Sequence, residues 1–202
     1  MLETEVKFQL TDPEAIRRRL YRAGAVSTGT AFETNYRYDD ADNRLLAAQH
    51  LLRLRRDRRN RLTLKQPHPS GGHQFKTHDE LEIEVSDFDM THQILEALGF
   101  HCAQIYEKRR ETFDMGTTEI CLDHLPYGHF VEIEGTPDMI PAVAERLGLE
   151  WHRRILANYL QIFDTIRHAL KLPFNDITFA HFKTVQDDMV SMIRQFEAES
   201  PP

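Results

Sequence analysis

Seven segments of this 202-residue chain alternate between apolar and ionisable side chains, and a period of two leaves little besides β-strand as their conformation. Glu3, Glu5 and Lys7 alternate with Thr4 and Val6, Arg53 and Arg55 with Leu52 and Leu54, and Thr63 and Lys65 with Leu62 and Leu64. Glu80, Glu82 and Glu84 alternate with Leu81, Ile83 and Val85. Lys108 and Arg110 share a face, Asp123 follows Ile120 and Leu122, and Glu132 and Glu134 alternate with Val131 and Ile133. For one strand alone, a solvated polar face explains such a pattern. Across seven strands a wet face would also carry Ser, Thr, Gln and Asn, yet these positions are nearly all charged and sorted, with acids on some strands and bases on others.

Three of the segments share one plan, in which an acidic alternating strand leads through a turn into a helix that ends at glycine. They run from Glu3 to Ala25, Glu80 to Phe100 and Val131 to Leu149. Thr11 or Asp12 before Pro13, Asp89 or Thr91, and Thr136 before Pro137 are N-cap signals, and Gly24, Gly99 and Gly148 suit the position after each helix. Further strands are expected at Thr34–Asp39, His50–Arg56, Arg61–Gln66, Gln104–Phe113 and Thr118–His124. Asp57 to Asn60 reads as a hairpin tip and Pro67 to Gly72 as a mobile loop. About eight strands with helices between them make an α+β fold, the amphipathic helices covering the apolar strand faces.

Beyond Trp151 the period becomes helical. Ile155, Tyr159, Ile162, Phe163, Ile166 and Leu170 fall on one face, and after Pro173 so do Phe182, Val185, Met189, Ile193 and Phe196. Two C-terminal helices are expected, with Glu197 to Pro202 fraying. Residues 1–163 are read as one domain and 164–202 as a helical extension packed on or beside it.

The chain has no apolar run near the roughly 20 residues that span a bilayer and no leader-like start, which predicts a cytoplasmic protein with no membrane partner. Cys102 and Cys121 lack zinc-ligand spacing and read as reduced structural thiols. A net charge of −7 argues against nucleic-acid binding.

If the sheet closes on itself with the charged face inward, about eight strands give a closed antiparallel β-barrel, a tunnel wide enough for side chains and one small ligand. Gathering these charges away from water costs several kcal/mol per unpaired ion, so they must pair or meet a highly charged ligand. That ligand needs anionic groups for the Arg and Lys and metal ions for the carboxylates. A polyphosphate with Mg²⁺ or Mn²⁺ meets both requirements.

The motifs ExExK (Glu3, Glu5, Lys7), LRLR (Arg53, Arg55), TLK (Lys65), ExExE (Glu80 to Glu84), KxR (Lys108, Arg110), LD (Asp123) and FVEIE (Glu132, Glu134) occur in the order that resembles the CYTH family. These are the triphosphate tunnel metalloenzymes, among them class IV adenylyl cyclases, thiamine triphosphatases and inorganic tripolyphosphatases. The resemblance covers about Met1 to Phe163, since Ala157-Asn158-Tyr159-Leu160 looks like the family's final helix. It implies an eight-stranded tunnel that binds a triphosphate substrate and a catalytic divalent metal. It further implies Glu3, Glu5, Asp123, Glu132 and Glu134 as metal-site candidates, and Lys7, Arg53, Arg55, Lys65, Lys108 and Arg110 as triphosphate ligands. Lys7, Lys65 and Glu82 are the expected catalytic group, with Glu82 holding a second metal or orienting the bases. Triphosphate hydrolysis is the first reading, cyclisation of ATP to cyclic AMP the second, and non-catalytic polyphosphate binding the third.

Family members often carry a Tyr before the Asp of a YxD-like motif on the second strand; here the run Asn35-Tyr36-Arg37-Tyr38-Asp39 leaves Tyr36, Arg37 and Tyr38 as alternatives for that place. The helix expected from Asp176 has no family counterpart, and either buttresses the barrel or forms a homodimer. Arg17, Arg18, Arg19 and Arg22 read as a solvated helix face. Arg56, Arg58 and Arg59 read as exposed tip residues able to steer anions. His124 and His129 read as loop histidines flanking Asp123.

Overall fold

The structure is a computed structural model and describes residues 1–69, 72–185 and 188–198. Eight strands form between β1 (Leu2–Leu10) and β8 (Gly128–Glu134): β2 spans Val26–Asp40, β3 Leu51–Arg56, β4 Asn60–Pro67, β5 Lys76–Val85, β6 Phe100–Met115 and β7 Thr118–Leu125. They pair antiparallel in the ring order β1-β5-β4-β3-β2-β6-β7-β8, with β8 returning to β1. The ring is uneven. β2 and β6 pair from Val26 to Asp40, whereas β1 and β5 pair only from Leu2 to Glu5.

Where the ladders stop short, the C-terminal residues complete them. Beyond Glu5, the backbone of Lys7 exchanges hydrogen bonds with Ile155 (3.2 and 2.7 Å). Beyond the β7 ladder, the free edge of β6 is met by Ile177, whose N–H donates to Ile105 and whose carbonyl accepts from Glu107 (2.8 and 2.9 Å). Unpaired edges are thereby covered, as a stable sheet requires.

Helices α1 (Pro13–Arg22), α2 (Arg44–Ala47), α3 (Phe88–Ala97), α4 (Met139–Arg146), α5 (Tyr159–Leu170) and α6 (Val190–Arg194) flank the ring. Asp12 caps α1 by accepting from Ala15 N–H with Pro13 in the first turn, as the sequence suggests. For α3 the cap is Asp87, two residues before the expected Asp89, and α4 begins after Asp138, which makes no side-chain cap bond. Gly24, Gly99 and Gly148 follow their helices with φ of +80°, +92° and +65°, a region glycine enters without strain.

One core cluster joins Val6, Phe8, Val131 and Ile133 of the strands to Ile16 and Leu20 of α1, Ile140 of α4 and Leu147 just after it. A second packs Tyr38 and Leu54 beneath Phe88 and Leu95 of α3. Cover is incomplete on β5, where Leu81 and Ile83 are 62% and 60% exposed, against the expectation that helices cover every apolar strand face. The third cluster joins Tyr106, Leu125 and Phe130 at one end of the ring to Tyr159, Phe163 and Ile166 of α5, with Ile177, Phe182 and Ile193.

The expected second C-terminal helix is replaced by a 3₁₀ turn at His181–Thr184 and the short α6. The β-branched pair Thr184-Val185 leaves the helix, with Val185 extended, while Phe182 and Ile193 still reach the apolar cluster. Glu197 is tied to Arg153 and Ile155 rather than frayed; the remainder of that expected fraying, 199–202, lies outside the described residues, as do 70 and 71 of the expected Pro67–Gly72 loop. Pro67 itself ends β4.

Candidate active site

Antiparallel register puts directly opposed residues on one face, and here it assembles the ionisable positions opposite the helix-covered face. Glu5 faces Glu134 and Lys7 faces Glu132 across β1 and β8; Glu134 also faces Glu119 on β7. Arg110 faces Asp123, Lys108 faces Glu33, Asn35 faces Arg55, Arg53 faces Thr63, and Lys65 faces Glu80. Glu5, Lys7, Glu33, Arg53, Arg55, Lys108 and Asp123 are buried.

Two ion-pair groups form. Asp123 accepts from Lys108 Nζ at 3.0 Å, from Arg110 Nε at 2.7 Å and Nη2 at 2.5 Å, and from Tyr159 Oη at 2.9 Å. Arg110 also pairs with Glu132. Lys7 Nζ lies 3.6 Å from both Glu5 and Glu132 and, although only 1% exposed, makes no hydrogen bond. Its ammonium and that of Lys108 lie 5.2 and 5.4 Å from the centre of the Tyr159 ring. The second group holds Lys65 between Glu3 (2.6 Å) and Glu80 (2.8 Å), with Lys76 2.6 Å from Glu5. Beside it, Glu82 accepts from Thr63 at 2.8 Å and lies 3.7 Å from Arg53 and 3.4 Å from Arg61.

Burial pushes a carboxyl upward, and nearby charges decide the outcome for Glu3, Glu5, Glu33, Glu80, Asp123 and Glu134. Against that burial, Lys76, Lys7 and Lys65 hold Glu5 well below the usual range, and Lys108, Arg55 and Arg110 do the same for Glu33. Asp123 is lowered, against burial, by Arg110 and Lys108, and Glu80 is lowered to about 2 by Lys65. Glu134 goes the other way: burial, then repulsion from Glu3, Glu119 and Glu5, pushes it up to about 7. Glu3 is also raised, by burial first and by Glu5 and Glu80 against the pull of Lys65. Lys7 is lowered by burial and its basic neighbours.

Of the candidate metal ligands, Glu3 lies against Lys65, Glu5 against Lys76 and Lys7, and Glu132 and Asp123 against Arg110, while Glu3, Glu5 and Glu134 fall on the adjacent strands β1 and β8. Among the described residues no three His, Cys, Asp or Glu side chains converge closely enough to hold a metal ion.

The alternatives on β2 separate. Tyr36 packs edge-on against Phe88 and His92 at ring distances of 5.0 and 5.6 Å, and the Tyr38 hydroxyl lies 2.9 Å from His92 Nδ1, so both face α3. Arg37 points to the charged face, 3.5 Å from Asp39. Asp39 accepts from the backbone N–H groups of Leu45 and Leu46 at the start of α2 (3.0 and 3.1 Å). Phenols reach the charged face from Tyr106, which lies against the Arg53 guanidinium, and from Tyr159, set at the first position of α5 by the reciprocal capping box of Asn158 and Gln161.

His124 and His129 are strand residues, not loop residues. They stack 4.2 Å apart on the face opposite the lining, beneath Phe179. Arg17 and Arg19 are likewise engaged, Arg17 with Glu111 at 2.7 Å and Arg19 with the Leu147 carbonyl at 2.7 Å.

Among the described residues, charged-face positions outside the sequence-derived set include Glu33, Lys76, Glu119, Tyr106 and Tyr159. The signal for the first three is present in the period of two. It runs from Arg37 through Asn35 to Glu33, from Glu80 through His78 to Lys76, and from Asp123 through Cys121 to Glu119. Tyr159 arrives from a helix, and no strand period reaches it.

The sequence pattern of the CYTH domain matches residues 1–156. The Methanocaldococcus jannaschii protein named "Putative adenylate cyclase MJ0240" is 24% identical over 135 residues, which is 66% of this chain and 77% of that one. The structure of a "putative adenylate cyclase" from Vibrio parahaemolyticus superposes with a TM-score of 0.73 at 20% identity, covering 81% of this chain and 98% of the other. A Hippeastrum protein, "Putative adenylyl cyclase HpAC1", described as having a dominant triphosphatase activity, superposes with a TM-score of 0.60 at 17% identity over 80% of this chain and 95% of its own. No helix among the described residues is long and apolar enough to cross a membrane. With the domain pattern spanning residues 1–156 of its 202, the chain belongs to the CYTH family.

Proposed function

We propose that the charged face lines a tunnel through the ring and that the chain is a divalent-metal-dependent triphosphatase. One observation carries the reading: the Lys7 ammonium is buried among ionisable groups yet makes no hydrogen bond. A buried ammonium whose two ion-pair partners stand beyond hydrogen-bond distance is costly, and a phosphoryl oxygen supplies the missing acceptor. Lys65, Lys108, Arg53, Arg55 and Arg110 extend the same cradle on three further strands, the guanidinium forks suiting phosphoryl oxygens.

The acids of β1 and β8 do not converge on one point in this structure, but Glu3, Glu5 and Glu134 on these neighbouring strands offer the carboxylate oxygens a hard divalent cation takes. Glu3 and Glu134 have raised proton affinities because burial and repulsion from the neighbouring acids outweigh the pull of Lys65, the condition a hard cation with oxygen ligands relieves. Glu3, Glu5 and Glu134 would hold it, with Glu132 and Asp123 next along the lining and orienting Lys7, Lys108 and Arg110. Such an ion, Mg²⁺ or Mn²⁺, polarises a phosphoryl oxygen. The chain's own part is positioning and charge stabilisation: the bases hold the triphosphate oxygens in line for attack by water, whose oxygen bonds to the terminal phosphorus as the anhydride bond breaks. Asp123 keeps Lys108 and Arg110 in place through its four hydrogen bonds.

A class IV adenylyl cyclase is the second reading, favoured by the names of the relatives. It uses the same cradle but aligns the ribose hydroxyl with the α-phosphorus. Incubation with ATP, tripolyphosphate or thiamine triphosphate and Mn²⁺, followed by product identification, separates the two. Orthophosphate is the expected product, and cyclic AMP with pyrophosphate overturns the first reading.

A further inference from the structure

A cavity of about 370 Å³ opens beside the β3–β4 hairpin and reaches the lining residues Glu33, Arg55 and Arg110. Its walls hold five arginines against three carboxylates, and its remaining residues are threonine, glycine and alanine. They include no aromatic or large aliphatic side chain. Four of the arginines have acidic partners: Arg55 with Glu33, Arg59 with Glu84, Arg61 with Asp57 and Arg110 with Asp123. Arg58 differs. Its guanidinium donates to the carbonyls of Thr28 and Thr30 (3.4 and 2.8 Å) and, among the described residues, pairs with no carboxylate.

The fold builds a seat for this cation. β2 carries a bulge where its register against β6 shifts between Ser27 and Gly29, and Gly29 adopts φ +116°. A Cβ at Gly29 would overlap the Arg58 guanidinium, so the absent side chain is what lets Arg58 lie across the strand. Tip arginines are ordinarily mobile and solvated. This one is fixed at the rim of the cavity with its charge uncompensated.

At the other end of the ring, Phe130, Tyr106 and Tyr159 close against α5 and its neighbours. A substrate whose phosphates lie among the lining bases therefore extends its far end into the Arg58 cavity. A nucleobase or thiamine ring there needs an aromatic or apolar face, and the thiamine cation would meet excess positive charge. An anionic end group meets fixed guanidinium.

We propose that Arg58, seated on Gly29, is a specificity-determining binding residue that selects inorganic polyphosphate chains over organic triphosphate esters. This rests on the tunnel reading above and names the substrate class of that site.

The test compares kcat and KM of the full chain with Mn²⁺ on tripolyphosphate, tetrapolyphosphate, ATP and thiamine triphosphate. The inorganic chains are expected to exceed both esters in kcat/KM by at least roughly tenfold, the order of one charge-assisted contact. Arg58→Gln, and Gly29→Ala by evicting Arg58, are expected to reduce that preference at least about fivefold through KM, with circular dichroism checking the fold. Arg18→Gln, exposed on α1, is expected to leave it unchanged. Equal or better use of either ester, or an unchanged preference in Arg58→Gln, overturns the proposal. Calorimetric titration of tripolyphosphate and ATP in EDTA requires no turnover. A binding preference without turnover upholds the Arg58 site and overturns the hydrolase reading, whereas turnover without preference does the reverse.

Discussion

Glu134→Gln is expected to lower tripolyphosphate turnover about 10²–10³-fold with the fold retained, the scale on which one lost electrostatic contact at a reacting group acts. Glu134 faces Glu5 on one side and Glu119 on the other, where burial and the surrounding acids push its carboxyl up to about 7. Glutamine keeps the shape and removes the charge that would meet a cation. The same substitution separates function from stability in the metal-free protein. A carboxyl whose folded pKa is raised contributes stability that is fully present below its unfolded value near 4.5 and lost as the pH rises through about 7. The melting-temperature difference, wild type minus Glu134→Gln, measured in EDTA, is therefore expected to fall between pH 4.5 and 7 and level off above. The difference matters because His78 and His124, both lowered to about 4 by burial first, give wild type an opposite slope. A flat difference, or full turnover in the variant, contradicts the placement of Glu134 at a cation site.

Asp123→Ala is expected to destabilise the fold by about 3–5 kcal/mol, the range for breaking a buried ion pair from one side. Asp123 is 2% exposed and accepts from Lys108, Arg110 and Tyr159 together. Removing it leaves the buried Lys108, the half-buried Arg110 and a phenol without their acceptor, although Glu33 and Glu132 retain part of the compensation. Urea denaturation measures the loss as a lower midpoint at unchanged slope. Tyr159→Phe removes one neutral hydrogen bond from the same carboxylate and is expected to cost about 1 kcal/mol. Equal losses in the two variants would show that the charges are not what Asp123 holds.

These residues also show what was legible in the sequence. The ring register follows from alternation, since a shift of one residue would move Glu5 and Lys7 to the helix-covered face and Val6 and Phe8 to the charged one, and only one register buries both sets beside suitable partners. That logic places Glu3 through Glu134 on one face without any long-range information. It fails where placement depends on a distant segment. Lys7 is capped on its backbone by Ile155, Asp123 is reached by a phenol 36 residues further on, and β6 is edged by Ile177. The apolar period from Phe182 to Phe196 predicts a helix because burial alone sets such a period. The segment buries Phe182 and Ile193 through two short turns instead. Local caps went astray by two residues at Asp87 because Asp89 offers the same chemistry in the first turn.

The central claim is that the buried cations of the ring form a phosphate site, and Lys7 tests it most directly. Methionine at position 7 keeps the length of the side chain in an apolar form, and Glu5 and Glu132 keep Lys76 and Arg110 as partners, so the fold is expected to persist. Isothermal titration of tripolyphosphate is expected to show one site in the wild-type protein and affinity at least about 100-fold lower in Lys7→Met, the scale of one truncated buried charge contact. Equal affinity in the two proteins would contradict the account.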